Sequence, residues 1–120
     1  MDENESIPVE LLDENAREWA NKFSRKITTH QIRRFFNEVK RYQMKLERGD
    51  EFGHIKPLIY MLKSKASYAA NKKPEMKTFA RFMEKAIEEI KIGDENQQEK
   101  RFRNFCLFFE AVYGFADLKK

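Results

Sequence analysis

Basic side chains recur at helical spacing in the middle of the chain, and their chemical types are those that bind phosphate. Within residues 28–48, one strip holds Arg33, Asn37 and Lys40. A second strip of the same segment holds Arg34, Glu38, Arg41, Lys45 and Arg48. Guanidinium and ammonium groups neutralise phosphates without reading base sequence, and amides add hydrogen bonds to sugar or base edges. The spacing therefore indicates a surface that attracts a polyanion.

The following segment carries further groups of the same kind. They are Lys56, Lys63, Lys65, Ser67, Tyr68, Asn71, Lys72 and Lys73. If the two segments form an antiparallel helix pair, their polar rows can combine into one continuous basic surface.

The net charge of +4 is distributed unevenly along the 120 residues. Residues 1–18 hold seven acids and one base, whereas residues 19–73 hold 14 Lys and Arg against four acids. Residues 74–120 hold nine of each sign. A local excess of this size favours a polyanionic partner. A solvated outer face on a lysine-rich protein would give the same pattern.

Hydrophobic periodicity predicts five helices that position these strips, and it shows no β-strand alternation. The first is predicted from Pro8 to Phe23. The second begins at the Thr28–Gln31 capping box and ends at Gly49. The loops are short, so the sequence predicts an all-α fold, a compact bundle of about five antiparallel helices. Residues 1–7 are predicted to be a disordered acidic tail, and residues 8–120 a single helical-bundle domain.

The last three helices have equally clear limits. The third is predicted within residues 53–70, with Pro57 in or near its first turn, Leu58 in its buried stripe and Asn71 as a left-handed cap. The fourth begins near Pro74 and stops at Gly93. The fifth starts at a second capping pattern, Asp94 with Gln97. Its apolar residues cover most of its circumference, which predicts a helix that is central to the bundle or shared with a partner.

The sequence lacks the residue patterns that are typical of enzyme sites. The four glycines form no phosphate-binding loop, and His30 and His54 belong to no zinc-ligand pattern. Cys106 lies in a Phe-rich segment, which indicates a small core residue. Glu38 alternates with Arg34 and Arg41 at the spacing of ion pairs along one helix. We therefore predict no enzyme activity, no metal, no cofactor and, since no 18-residue apolar run exists, no membrane span. The single cysteine and the acidic start predict a cytoplasmic protein.

Three segments, in this order, resemble the small subunit of the type III-A CRISPR (Csm) complex. They are residues 27–39 (ITTHQIRRFFNEV), residues 58–70 (LIYMLKSKASYAA) and residues 102–112 (FRNFCLFFEAV). One departure is visible, because Asn71-Lys72 stands where family members often have Gly-Arg. An ammonium in place of a guanidinium there weakens a bidentate phosphate contact.

The resemblance implies a non-catalytic subunit of a crRNA-guided antiviral complex. Copies of such subunits stack beside the backbone and large subunits and contact the target RNA along its duplex with the crRNA, while target cleavage belongs to the backbone subunit. By position, the RNA-binding residues would be Arg33, Arg34, Asn37, Lys40, Arg41, Lys63, Lys65, Tyr68 and Lys72. An isolated copy is also expected to be able to form a homodimer. The alternative is a helical protein–protein interaction module whose basic face docks on an acidic partner, and a nuclease is a third, weaker possibility.

Overall fold

The computed structural model describes residues 15–23 and 25–118, and within them the chain forms five α-helices and no β-strand. The helices are α1 (Ala16–Phe23), α2 (Thr29–Glu47), α3 (Phe52–Lys72), α4 (Lys77–Ile90) and α5 (Glu95–Phe115). A 3-10 turn, Pro74–Met76, joins α3 to α4. The predicted all-α bundle is confirmed. The predicted helix start at Pro8 and the tail of residues 1–7 lie outside the described residues, so the division into tail and domain stays a prediction.

Local sequence explains where α2 and α5 begin and where α2 and α4 end. Thr28 Oγ1 accepts a hydrogen bond from the Gln31 amide at 3.0 Å, and Gln31 Oε1 accepts one from the Thr28 amide at 2.9 Å. Asp94 and Gln97 form the same reciprocal pair ahead of α5. Gly49 and Gly93 adopt φ values of +105° and +91°, a region that glycine enters at little cost. Both predicted capping boxes and the predicted stop of α2 at Gly49 are confirmed, whereas α4 already ends at Ile90, before the predicted stop at Gly93.

The core is built around α5, which packs against each of the other four described helices. Eight of the eleven Phe residues are buried, and Phe82 lies between them with its ring centroid 5.6 Å from that of Phe109. The buried members are Phe23, Phe35, Phe52, Phe79, Phe82, Phe102, Phe105 and Phe109. The all-round apolar character of α5 is therefore explained largely by its central position.

A buried glutamine closes the turn between α4 and α5. Gln98 Nε2 donates to the carbonyl oxygens of Lys91 and Gly93 at 3.2 and 2.9 Å, and its Oε1 accepts from the Tyr60 hydroxyl at 2.6 Å. These bonds satisfy the buried amide and fix Tyr60 of α3 against the start of α5.

Two predictions about α3, those for Asn71 and Leu58, were wrong. The helix begins at Phe52, so Pro57 lies just past its first turn, near the predicted place. Asn71 is helical, and the helix ends at Lys72; Lys73 is extended (φ −130°), because Pro74 disfavours a helical conformation in the residue before it. Leu58 is 39% exposed and is not part of the buried stripe.

Candidate nucleic-acid interface

An open groove runs between α2 and α3 on the surface of the bundle. The two helices are antiparallel: Glu38 of α2 lies opposite Lys65 of α3, and Gln31 at the start of α2 contacts Glu75, just beyond the end of α3. The groove has a volume of about 890 Å³. Its walls are His30, Gln31, Arg34, Phe35, Asn37, Glu38 and Arg41 on α2, and Ser64, Lys65, Tyr68, Ala69, Lys72, Lys73 and Met76 on the other side.

Six of the nine residues proposed from the sequence line this groove. They are Arg34, Asn37, Arg41, Lys65, Tyr68 and Lys72. The lining includes five Lys or Arg side chains and one carboxylate, so its charge is strongly positive. The helical spacing of His30, Arg34, Asn37 and Arg41 places them on the α3-facing side of α2, and Lys65, Tyr68 and Lys72 meet them from α3.

Several of the groove cations make no ion pair within residues 15–23 and 25–118. They are Arg34, Arg41, Lys72 and Lys73. The ammonium of Lys72 lies 5.5 Å from the centre of the Tyr68 ring, a cation–π contact that keeps both side chains on the groove rim. Cations without a carboxylate partner keep their charge available to an incoming anion.

Glu38 is the one carboxylate among the groove-lining residues, and it is tied to two partners. Its Oε1 accepts from Lys65 Nζ at 2.8 Å and from the Tyr42 hydroxyl at 3.1 Å. Burial, together with the charge and hydrogen bond of Glu38, raises the pKa of Tyr42 to about 12. The predicted pairing of Glu38 with Arg34 and Arg41 along α2 was wrong, because Lys65 of α3 approaches the carboxylate instead. Arg34 and Arg41 therefore make no ion pair within the described residues.

The other three proposed residues lie outside the groove. Arg33 donates to the Tyr113 hydroxyl at 3.5 Å, and Lys40 forms an ion pair with Glu110, so both face α5. Lys63 faces α4 and pairs with Glu88 at 2.5 Å, which raises the pKa of Lys63 and lowers that of Glu88. The sequence had grouped Asn37 with Arg33 and Lys40. The structure separates them, because Asn37 lies at the edge of that strip nearest α3.

The comparison with known families decides the identity. The family model for Csm2 Type III-A matches residues 6–116, most of the chain. The chain belongs to this family. It is therefore the small, structural subunit of the type III-A Csm complex, and it assembles there with other subunits. No curated protein and no solved structure matched the chain.

The sequence segments that resembled the Csm2 family lie on three different helices. Residues 27–39 form the start of α2, residues 58–70 lie within α3, and residues 102–112 lie within α5. The first two segments face each other across the groove, while the third supplies core residues such as Phe102 and Phe109. The segments that carry the family resemblance therefore build both the groove and the core that supports it.

The described part of this Csm2-family chain offers no metal site and no reactive thiol. Among residues 15–23 and 25–118, no cluster of three or more His, Cys, Asp or Glu side chains is placed to hold a metal ion. Cys106 is buried, as predicted, and burial raises the pKa of its thiol to about 12. Within residues 15–23 and 25–118, the helices lack the continuous apolar length that a transmembrane segment requires.

Sequence reasoning missed some of the groove and its surroundings. The groove is also lined by His30, Gln31, Ser64 and Met76. His30 lies one helical turn before Arg34, so its place in the groove could have been predicted from the sequence. Three large apolar side chains, Met44, Leu58 and Met61, are exposed by 61%, 39% and 51%. By helical register they lie toward the α2–α3 loop, at the opposite end of the helix pair from Lys72. Of the three, only Leu58 was predicted to be buried; Met44 and Met61 were not part of the predicted apolar stripes.

Proposed function

We propose that this Csm2-family subunit contacts the RNA of the type III-A complex through the α2–α3 groove. The RNA is the target strand and its duplex with the crRNA, held by phosphates and sugars without reading base sequence. One observation carries the proposal: four cations that make no ion pair within the described residues, the Asn37 amide and the exposed Tyr68 ring converge in a single open groove. Arg and Lys near an uncharged hydrogen-bonding group are the usual ligands of an RNA backbone.

The proposal divides the nine candidate residues by role. Arg34, Asn37, Arg41, Tyr68 and Lys72 contact RNA directly. Lys65 contributes when its bond to Glu38 loosens. Arg33, Lys40 and Lys63 hold helices together, through bonds to Tyr113, Glu110 and Glu88.

The subunit is proposed to be non-catalytic and to work in the cytoplasm beside the backbone subunit, the large subunit and further copies of itself. A non-catalytic role agrees with the absence of a metal-ligand cluster from the described residues. Labelled RNA incubated with the pure protein and Mg²⁺ should stay intact. Cleavage that follows the protein through purification and is abolished by EDTA would contradict this. A homodimer of the isolated chain remains a prediction, to be checked by analytical ultracentrifugation.

A second candidate is docking of an acidic protein on the same face. It is favoured by the exposed Met44, Leu58 and Met61, since apolar side chains beside a basic groove suit a protein partner better than a phosphate backbone. Free RNA should compete with such a partner only if both use the groove.

The test is the affinity for single-stranded RNA across a salt series, measured by fluorescence anisotropy on the isolated chain and on the reconstituted complex. A dissociation constant that rises steeply with salt and varies little with sequence is expected. If the isolated chain does not bind, RNA photo-cross-linked to this subunit in the complex would show that assembly is required. If neither binds or cross-links, the groove serves a protein.

A further inference from the structure

A second groove lies on the other side of α3, between α3 and α4. It has a volume of about 700 Å³, and its polar lining includes Lys63, Ser67, Asn71, Lys77 and Arg81, with Glu84 at one side. Lys77 and Arg81 are one helical turn apart on α4, and neither makes an ion pair within the described residues. The sequence strips on α2 and α3 did not include them.

Tyr68 forms the crest between the two grooves and lines both of them. It is 64% exposed, and its one ring contact among the described residues is the ammonium of Lys72. The other three tyrosines of the chain are held by the fold. Tyr42 is buried and bonded to Glu38, Tyr60 is bonded to Gln98, and Tyr113 is stacked on Phe36 at 4.5 Å. The bundle therefore gains little from the Tyr68 ring, which leaves the ring available to a ligand.

We propose that a single RNA strand crosses α3 at Tyr68, with one unpaired base stacked on the ring and the adjoining phosphates held by Lys77 and Arg81. The strand continues into the α2–α3 groove, so this inference rests on the proposed function. An aromatic ring flanked by cations on both sides is the usual platform for a single strand, because a base offers a flat face and the backbone on either side needs neutralising. A base inside a duplex is already stacked and cannot take this position.

Ser67 and Asn71 add hydrogen-bonding groups to the α3–α4 groove. Both line it beside Tyr68, one turn apart on α3, where a ribose hydroxyl would face them. The 2′-hydroxyl distinguishes RNA from DNA, so the second groove is expected to prefer ribose.

The test uses the full chain and an RNA oligonucleotide that carries the fluorescent base 2-aminopurine, whose emission is quenched by stacking. Tyr68→Phe keeps the ring and should keep both the affinity and the quenching. Tyr68→Leu should remove the quenching and weaken binding roughly 5- to 100-fold, the range for one stacked base. Normal quenching in Tyr68→Leu would overturn the stacking role.

The phosphate contacts are tested by Lys77→Ala/Arg81→Ala. This double variant should lower the slope of log affinity against log salt by roughly 1 to 2, which is the effect of two lost phosphate contacts. A matched control, Lys85→Ala/Lys100→Ala, removes the same charge from exposed positions of α4 and α5 outside either groove. Equal slopes in both double variants would overturn the role of the second groove.

Failure of this inference can be told from failure of the proposed function. If Arg34→Ala/Arg41→Ala weakens RNA binding while the Tyr68 and Lys77/Arg81 variants do not, the RNA stays in the α2–α3 groove and the inference is wrong. If none of these variants weakens binding, the proposed function itself is wrong.

Discussion

Helix α2 presents arginine and lysine on two sides, one toward α3 and one toward α5. On the α3 side, Arg34 and Arg41 reach the groove and make no ion pair within the described residues. On the α5 side, Arg33 donates to the Tyr113 hydroxyl and Lys40 pairs with Glu110. The two sides have similar residue types but different neighbours, because α5 supplies a carboxylate and a hydroxyl where α3 supplies more cations. Both sides of α2 are positively charged, but on the α5 side the basic groups already have partners. This difference separates the proposed RNA surface from the contact between α2 and α5.

The largest expected effect comes from reversing the charges on the α3 side. Arg34→Glu/Arg41→Glu should weaken RNA binding by roughly 100-fold at low salt, since two phosphate contacts become repulsions. Its circular-dichroism spectrum should match that of the unmodified protein, because both side chains are exposed.

The control for this reversal is Lys85→Glu/Lys100→Glu, which changes the charge equally outside the groove. An equal loss of affinity in the control would mean that net charge, and not the groove, attracts the RNA.

Substitutions on the α5 side of α2 should instead change the stability of the fold. Phe36 stacks on Tyr113 and meets the Phe109 ring edge-on at 5.4 Å. Phe36→Ala should lower the free energy of unfolding by about 2 kcal/mol, less than for a fully buried ring because Phe36 is half-buried. Urea denaturation measures this. The RNA affinity of Phe36→Ala under native conditions should be unchanged. A large loss of affinity would contradict the claim that the α5 side of α2 serves stability and not RNA binding.

A substitution of Glu38 tests how the charge on the α3 side of α2 affects RNA binding. Glu38→Gln removes the one carboxylate of the groove lining and releases Lys65, while the amide oxygen still accepts from the Tyr42 hydroxyl. RNA affinity should rise by roughly 5-fold, with a steeper salt dependence, because an additional cation becomes available. Weaker binding would mean that the Glu38–Lys65 bond shapes the groove, and that the RNA depends on this shape.

The smallest effect is expected at the Lys40–Glu110 pair. Both side chains are partly exposed, so Lys40→Glu should cost about 1 kcal/mol or less of stability. The exchange Lys40→Glu/Glu110→Lys should recover most of it, which thermal unfolding can show. If either variant weakens RNA binding several-fold, Lys40 belongs to the RNA surface as the sequence had suggested.

Local signals in the sequence predicted much of the fold. The Thr28–Gln31 and Asp94–Gln97 boxes each depend on four consecutive residues, so their partners were readable without knowing the tertiary structure. The errors fell where distant residues decide the outcome. Leu58 has the spacing of a core residue, yet it is 39% exposed, because no helix of the described part of the chain covers it fully.

The same contrast between local and distant residues applies to the candidate site. Arg34 and Arg41 were placed together by their helical spacing, whereas Asn37 was proposed with the Arg33 strip and only the structure places it in the groove. The partners of Arg33 and Lys40 were not found, because Tyr113 and Glu110 lie 80 and 70 residues further along the chain. A sequence shows which side chains are basic, but the packing of α5 decides which of them are already paired.

The most direct test of the central claim compares two double variants of α2 that remove equal charge. The slope of log RNA affinity against log salt should fall by roughly 1 to 2 in Arg34→Ala/Arg41→Ala and should stay unchanged in Arg33→Ala/Lys40→Ala. Equal falls in both variants, or a fall only in the second, would contradict the claim that RNA is held by the α3 side of α2.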